Sequence, residues 1–183
     1  RGQNIQDLRR FSMAFYFRRG DEDAVYLTPS FFSPSADPSS WVAGRLFEAL
    51  DAEAIDRLIE AIGHSEKPII MAGAGILKAG ASTELTEFAR RTGIPVINTL
   101  LGLGGFPGTD PLFLGMPGMH GTAYANMALC DCDLLINLGG RFDDRVTGKV
   151  GSFATNAVIA HVDIDAAELG KRVRTHIPIL ANV

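Results

Sequence analysis

The feature that most constrains this chain is a repeated pairing of a short, mostly apolar run with one or two glycines that stop it. Pro68–Ala72 runs into Gly73 and Gly75, and residues 133–138 run into Gly139 and Gly140. Further runs lie at residues 95–98, 157–162 and 177–180. Apolar runs this short, without a polar residue at every second position, read as strands buried on both faces. Between them the period changes. Ala54, Ile55, Leu58, Ile59 and Ile62 recur at three- and four-residue spacing and predict a helix stopped near Gly63. Residues 82–92 predict another, with Leu85 to Ala89 as its apolar side and Gly93 as its stop. Ser82 has capping-box spacing, although the third residue after it is Leu85 and not Glu. Residues 120–130 have helical character through Tyr124, Met127 and Ala128, and residues 166–171 predict a last helix. Each crossover between doubly buried strands must return the chain across a sheet, so the expected fold is α/β: a doubly wound parallel sheet, Rossmann-like. Five strands are visible, and about five to six are expected.

Regularity begins near residue 50. Residues 1–49 carry Arg9, Arg10, Arg18 and Arg19, an aromatic cluster (Phe11, Phe15, Tyr16, Phe17) and a stretch broken by Pro29, Pro34 and Pro38. No period is evident, and the segment reads as an irregular N-terminal arm or linker ahead of a domain at 50–183.

Charge and cysteine usage limit the partners. Seventeen basic against 21 acidic residues give a net charge of −4, which supplies no positive field for displacing counterions from nucleic acid. DNA, RNA and anionic membranes are not expected partners. The charge-free stretch 111–130 is interrupted by Pro117, three glycines and His120, unlike a lipid-spanning helix. No secretory signal is evident at the start of the sequence. Cys130 and Cys132 stand one residue apart and cannot close a useful disulfide loop with each other; they read as buried free thiols in a reducing, cytoplasmic setting. Two thiols also fall short of a four-ligand zinc site, and no metal site is expected.

Glycine makes up about 11% of the chain, against roughly 7% on average. The glycines cluster where strands should end, which in such a sheet is where ligands bind, at loops with free amide donors. The spacing of Gly73, Gly75 and Gly80 is not the dinucleotide G-x-G-x-x-G. Three more loops, at 98–102, 118–122 and 139–145, could line the same crevice. Arg141 suits two roles that spacing does not separate: bidentate contact with a diphosphate, or a surface ion pair with Asp143 or Asp144. Asp163, at a strand end, is placed to accept from ribose hydroxyls, while Asp165 suits the cap of the helix at 166–171. A metal pair of Asp163 and Asp165 lacks further ligands at matching spacing. His120 has no nucleophile to partner it and reads as a ligand contact more than a base. Met116 and Met119 could line a flat ring system or simply fill gaps.

Three strings carry a resemblance. Gly118-Met119-His120-Gly121-Thr122 followed by Ala125-Asn126, then Arg141-Phe142-Asp143-Asp144-Arg145-Val146-Thr147-Gly148-Lys149, then His161-Val162-Asp163-Ile164-Asp165 resemble the central domain of the acetolactate synthase (acetohydroxyacid synthase) large catalytic subunit. The likeness runs from about residue 50 to the end. It implies a three-domain enzyme, dependent on thiamine diphosphate and Mg²⁺, that decarboxylates pyruvate and joins the two-carbon unit to a second 2-oxo acid in branched-chain amino-acid biosynthesis. It also implies a homo-oligomer with a regulatory subunit, and a central domain that holds FAD with no redox duty in the main reaction. By motif position, the implied FAD contacts are Gly73, Thr99, Leu100, Gly118, Met119, His120, Gly121, Gly139, Arg141, Asp143, Arg145, Val146, Asp163 and Ile164.

The departures from the pattern matter too. The family's Gly-Asp-Gly thiamine motif with its distant Asn-Asn is nowhere in the sequence, and Asn182 stands where an acidic residue is common. The expectation is a C-terminally truncated FAD-binding domain, inactive alone, with no catalytic residues of its own and weakened FAD affinity. The alternatives are a structural or interaction module with an empty cleft, and the central domain of a related thiamine enzyme such as a pyruvate oxidase. An NAD-dependent oxidoreductase is disfavoured by the missing fingerprint.

Overall fold

A computed structural model describes residues 52–183; the arm expected at 1–49 lies outside them. The elements are α1 (Ala52–His64), β1 (Pro68–Ala72), α2 (Ala74–Ala79), α3 (Ser82–Thr92), β2 (Val96–Asn98), β3 (Phe113–Gly115), α4 (Ala123–Asp131), β4 (Leu134–Leu138), α5 (Asp144–Thr147), β5 (Val158–Asp163) and β6 (Ile177–Leu180). The six strands form one sheet in the order β3-β2-β1-β4-β5-β6, and every pairing is parallel. This is the expected doubly wound α/β fold.

Strand alternation divides the core into two layers. Ile70, Ala72, Val96, Leu134, Ile136, Leu138, Ala160 and Val162 face α1 and α3, whose Ala54, Leu58, Leu85 and Ala89 complete one cluster. Ile69, Met71, Ile97, Leu135 and Ile159 face the other way, toward Ala125 and Leu129 of α4 and toward Phe142 and Phe153. Burial on both faces explains why these strands lack polar alternation. The chain turns outward in opposite directions from β1 and β4, so the crevice between their carboxyl ends is the switch point of the sheet.

Several elements differ from the sequence expectation. The short strand β3 and helix α2 were not foreseen. β3 has only three residues and ends at Gly115, with φ 99°, while α2 is a six-residue helix that ends at the left-handed Gly80. Neither is long enough to show a period. Ser82 is not a cap: α3 is flanked by Ala81, and no side chain caps it. The helix expected over 120–130 starts later, at Ala123, because Thr122 accepts the Ala125 amide at its N-terminus. Residues 166–171 are not a helix. Their amides reach back three residues (Glu168 to Asp165, Leu169 to Ala166, Lys171 to Glu168), and Gly170 turns left-handed at φ 72°. Asp165 accordingly closes a turn, through a 2.9 Å bond from the Ala167 amide, and caps no helix.

The long loop between β2 and β3 is held by one charged contact. Asp110 is buried in that loop; it accepts from the Leu112 amide (3.0 Å) and from Arg90 Nε of α3 (2.8 Å). The Leu112 amide and the Arg90 guanidinium hold its carboxyl below the usual 3.8. A depressed carboxylate pKa adds stability that is complete above the unfolded value and is lost as pH falls through the folded one. Asp110→Asn should therefore lower the unfolding midpoint at pH 7 and should flatten the acid limb of the stability curve below about pH 4, as urea unfolding across pH would record.

Candidate functional site

Four loops meet at the carboxyl edge, and backbone contacts join them in a row. The Thr99 amide donates to Ala72 O (3.0 Å), the Gly73 amide to Leu138 O (2.8 Å), the Gly75 amide to Gly139 O (3.1 Å) and the Gly139 amide to Val162 O (2.9 Å). The glycines are what let these backbones approach. A Cβ on Gly73 would overlap the Gly139 carbonyl and lie 2.5 Å from Gly140 Cα, one on Gly75 would lie 2.7 Å from Gly139 Cα, and one on Gly102 would overlap the Ala72 carbonyl. A fifth loop joins through Gly118, whose Cβ would overlap Arg145 O, and through the Met119 amide, which donates to that same carbonyl (3.0 Å). Gly121 closes its own turn on Gly118 O (3.0 Å). Asn126 clamps the turn from α4, accepting from the Gly118 amide (2.8 Å) and donating to its carbonyl (3.0 Å).

The side chains at this edge divide by burial. Gly73 is buried, and Thr99 and Val146 are half-buried. Leu100 (67%), Met119 (71%) and Ile164 (63%) are exposed apolar groups, and His120 and Arg141 are exposed as well. The ion-pair alternative for Arg141 is not realised. Asp143 Oδ1 caps α5 by accepting from the amides of Arg145 (3.0 Å) and Val146 (3.2 Å), and the Asp144 carboxylate lies 3.8 Å from Arg145 Nε. Among the described residues the Arg141 guanidinium has no partner, and the successive amides of Gly140, Arg141 and Phe142 donate to no protein group. Three such amides beside a free guanidinium can receive an anion.

Asp163 ends β5 with 8% of its surface exposed. Its Oδ1 accepts the Asp165 amide (2.9 Å), which leaves Oδ2 toward His161 Nε2 at 3.7 Å, beyond hydrogen-bond range. Asn182 is half-buried just past Ala181, whose amide donates to Asp163 O (3.0 Å). The thiols separate: Cys132 is buried and its pKa is pushed up to about 11 by desolvation, whereas Cys130, expected to be buried, is exposed on the last turn of α4. No group of three metal-binding side chains occurs among the described residues, and no helix there is long and apolar enough to cross a membrane.

Beneath these loops lie three buried polar residues to which the sequence alone assigns no role. Asn98 donates to Gly102 O (2.6 Å), Asn137 donates to Gly140 O, and His161 lies fully buried in β5. The available signal was a polar residue within or at the end of each otherwise apolar strand. Phe142, which lies in the 141–149 string without an assigned role, adopts φ 52°, and its ring lies 5.0 Å from His161 and 5.7 Å from Phe153.

Residues 55–183 match the family described as "Thiamine pyrophosphate enzyme, central domain". The chain belongs to this family. It is 48% identical over 155 residues to a probable acetolactate synthase 2, chloroplastic, of Oryza sativa subsp. japonica, a match covering 85% of this chain and 23% of that protein. It is 50% identical over 131 residues to an acetolactate synthase large subunit of Corynebacterium glutamicum (72% and 21%). It is 52% identical over 128 residues to a probable acetolactate synthase large subunit of Methanocaldococcus jannaschii (70% and 22%). The chain thus spans about a fifth to a quarter of the length of the curated relatives it matches.

Two stability predictions test the site's construction. Gly73→Ala should cost about 1–3 kcal/mol, because an added methyl forces the β1 and β4 loops apart, and thermal unfolding would measure it. Desolvation holds the His161 pKa below 6.5 against the opposing pull of Asp163. The unfolded chain then takes up the proton first, so stability is unaffected above pH 6.5 and declines as pH falls from there toward the lowered folded value. His161→Phe should remove that component, giving a shallower fall below about pH 6.5 in urea unfolding.

Proposed function

We propose that this chain is the FAD-binding central domain of an acetolactate synthase, with the cleft at the sheet's carboxyl edge receiving the nucleotide. The observation that carries the reading is the unpartnered Arg141 guanidinium beside three amides with no protein acceptor, at the switch point of the sheet. The donor set suits a dinucleotide. Arg141 and the amides of residues 140–142 would meet the diphosphate, Asp163 Oδ2 would accept from ribose hydroxyls, and Leu100, Met119 and Ile164 offer apolar surface to a flat ring. Gly73, Gly118, Gly121 and Gly139 serve by keeping the loops in contact, while His120 and Thr99 border the same edge.

In the whole enzyme we assign thiamine diphosphate and Mg²⁺ to parts of the protein other than this domain, because the sequence holds no Gly-Asp-Gly motif. There they would supply pyruvate decarboxylation and carboligation on the path to branched-chain amino acids, with the flavin as a structural element. The partners we assign are the other domains of the parent enzyme, further copies of it and a regulatory subunit. The free thiols favour a reducing compartment, which we take to be the cytoplasm. The string at 141–149 favours acetolactate synthase over pyruvate oxidase as the parent. A second reading, an interaction module, draws on the exposed Leu101, Leu103, Tyr124 and Met127. Sedimentation tests that reading, and a clean monomer argues against it.

Titration followed by flavin fluorescence tests the main reading. FAD should bind, but with a Kd above about 1 μM, since a pocket that buries little of the isoalloxazine ring forfeits much of the binding energy. Arg141→Ala should weaken binding about 10- to 100-fold, the value of a lost charged hydrogen bond. The chain alone, given pyruvate, thiamine diphosphate, Mg²⁺ and FAD, should form no acetolactate; turnover would overturn the assignment.

A further inference from the structure

His161 is the most deeply buried ionisable side chain at this edge, at 0% exposure; the Gly140 carbonyl and the Asp163 carboxylate act on its ring, but neither ring nitrogen has a partner within hydrogen-bond geometry among the described residues. A buried polar group left unpaired forfeits its hydration without return, so core packing alone would favour Phe or Leu here. The register sets Asn137 of β4 directly beside it, and Asn137 likewise leaves its buried Oδ1 unpartnered while its amide donates to Gly140 O. The His161 ring meets Phe142 edge to face at 5.0 Å and 75°, and Phe142 directly follows Arg141. Its Nε2 faces Asp163 Oδ2 at 3.7 Å, while Oδ1 of the same carboxylate is fixed by the Asp165 amide. One imidazole thus touches the loop that carries Arg141 on one side and the carboxylate of Asp163 on the other.

We infer that His161 is a positioning residue for nucleotide binding, acting through Asp163: its ring sets the gap between the Phe142 loop and the end of β5, and its Nε2 orients Asp163 Oδ2 for the ligand. This role rests on the cofactor cleft proposed above. At 3.7 Å His161 makes no hydrogen bond to Asp163, so it limits the carboxylate by contact and leaves Oδ2 free to accept from the ligand. Other charged groups nearby do not replace it. Asp143 is committed to capping α5, Asp144 lies by Arg145, and Glu168 pairs with Lys171 at 2.7 Å. Arg141, the residue before Phe142, is exposed and has no protein partner among the described residues.

A double-mutant cycle on FAD affinity, using the whole 183-residue chain, tests this coupling. His161→Phe keeps the ring that packs on Phe142 and removes the nitrogens; Asp163→Asn keeps the shape and removes the charge. Each single variant should weaken FAD binding about tenfold, and the double variant should bind no more weakly than Asp163→Asn alone, because a residue acting through another adds nothing once its target is gone. His161→Gln, which restores a polar atom, should recover part of the loss. Circular dichroism and unfolding midpoints identify variants that fail to fold; if His161→Phe is among them, the same cycle run with His161→Gln decides. Losses that multiply in the double variant would overturn the inference, since a merely structural histidine predicts that result, and so would a His161→Phe variant that binds like wild type. If the wild-type chain binds no FAD, or if Asp163→Asn changes nothing, the cofactor reading itself fails and this inference with it.

Discussion

Everything at the carboxyl edge depends on one close approach of backbone to backbone, where the turn after β1 lies against the turn after β4 with only hydrogens between them. Gly73 and Gly75 supply one side and Gly139 and Gly140 the other. In a doubly wound sheet these two strands are the pair from which the chain departs in opposite directions, so the crevice between them opens by topology alone. Side chains at Gly73, Gly75 and Gly139 would fill the crevice and splay the strand ends, and one at Gly140 would collide with Asn137. The glycine excess is therefore a steric requirement of the fold before it is a requirement of any ligand. The two are compatible: a cleft whose walls are bare backbone is also one in which amides remain available.

The same economy explains the polar residues within the strands. Asn98 and Asn137 face opposite sides of the sheet, yet each donates its amide to the carbonyl of a glycine three or four residues further on. A glycine-rich turn has no side chains with which to brace itself, and an asparagine beneath it substitutes for them. His161 does related work for the next loop, through Phe142, whose left-handed backbone costs energy that its inward packing against Phe153 and His161 offsets. The loops are thus shaped from below, by buried polar groups, while their outer faces remain free.

This division marks how far the sequence could be read. The strands were legible because burial on both faces erases alternation and leaves an apolar run, as in residues 134–138. The loops were legible as locations because glycines punctuate them. Elements held by contacts distant in sequence were not: β3 exists because its short backbone pairs with β2, and α2 because two glycines bracket it. The helix expected after Asp165 failed because periodicity in a short window cannot weigh against a left-handed Gly170. At the site, the spacing around Arg141 left its partner undecided. Only the coordinates show that Asp143 is spent on a helix cap and Asp144 lies by the neighbouring arginine.

That unspent guanidinium bears on how such a domain can serve a larger enzyme. An arginine tied into an internal ion pair would have to give up that pair before meeting a phosphate, and the exchange would return little net free energy. Arg141 has no such pair to give up, and the amides beside it are likewise uncommitted. In the nucleotide-binding reading proposed above, the ordering of these groups would be met by the fold, through the glycine contacts and the buried Asn137, and not by the ligand on arrival. A cleft preorganised in this way can hold the polar half of a dinucleotide with few contacts of its own. On the same reading, the exposed apolar side chains of Leu100, Met119 and Ile164 would be the open side of the site, and a ring system resting on them would gain full burial only under a second wall.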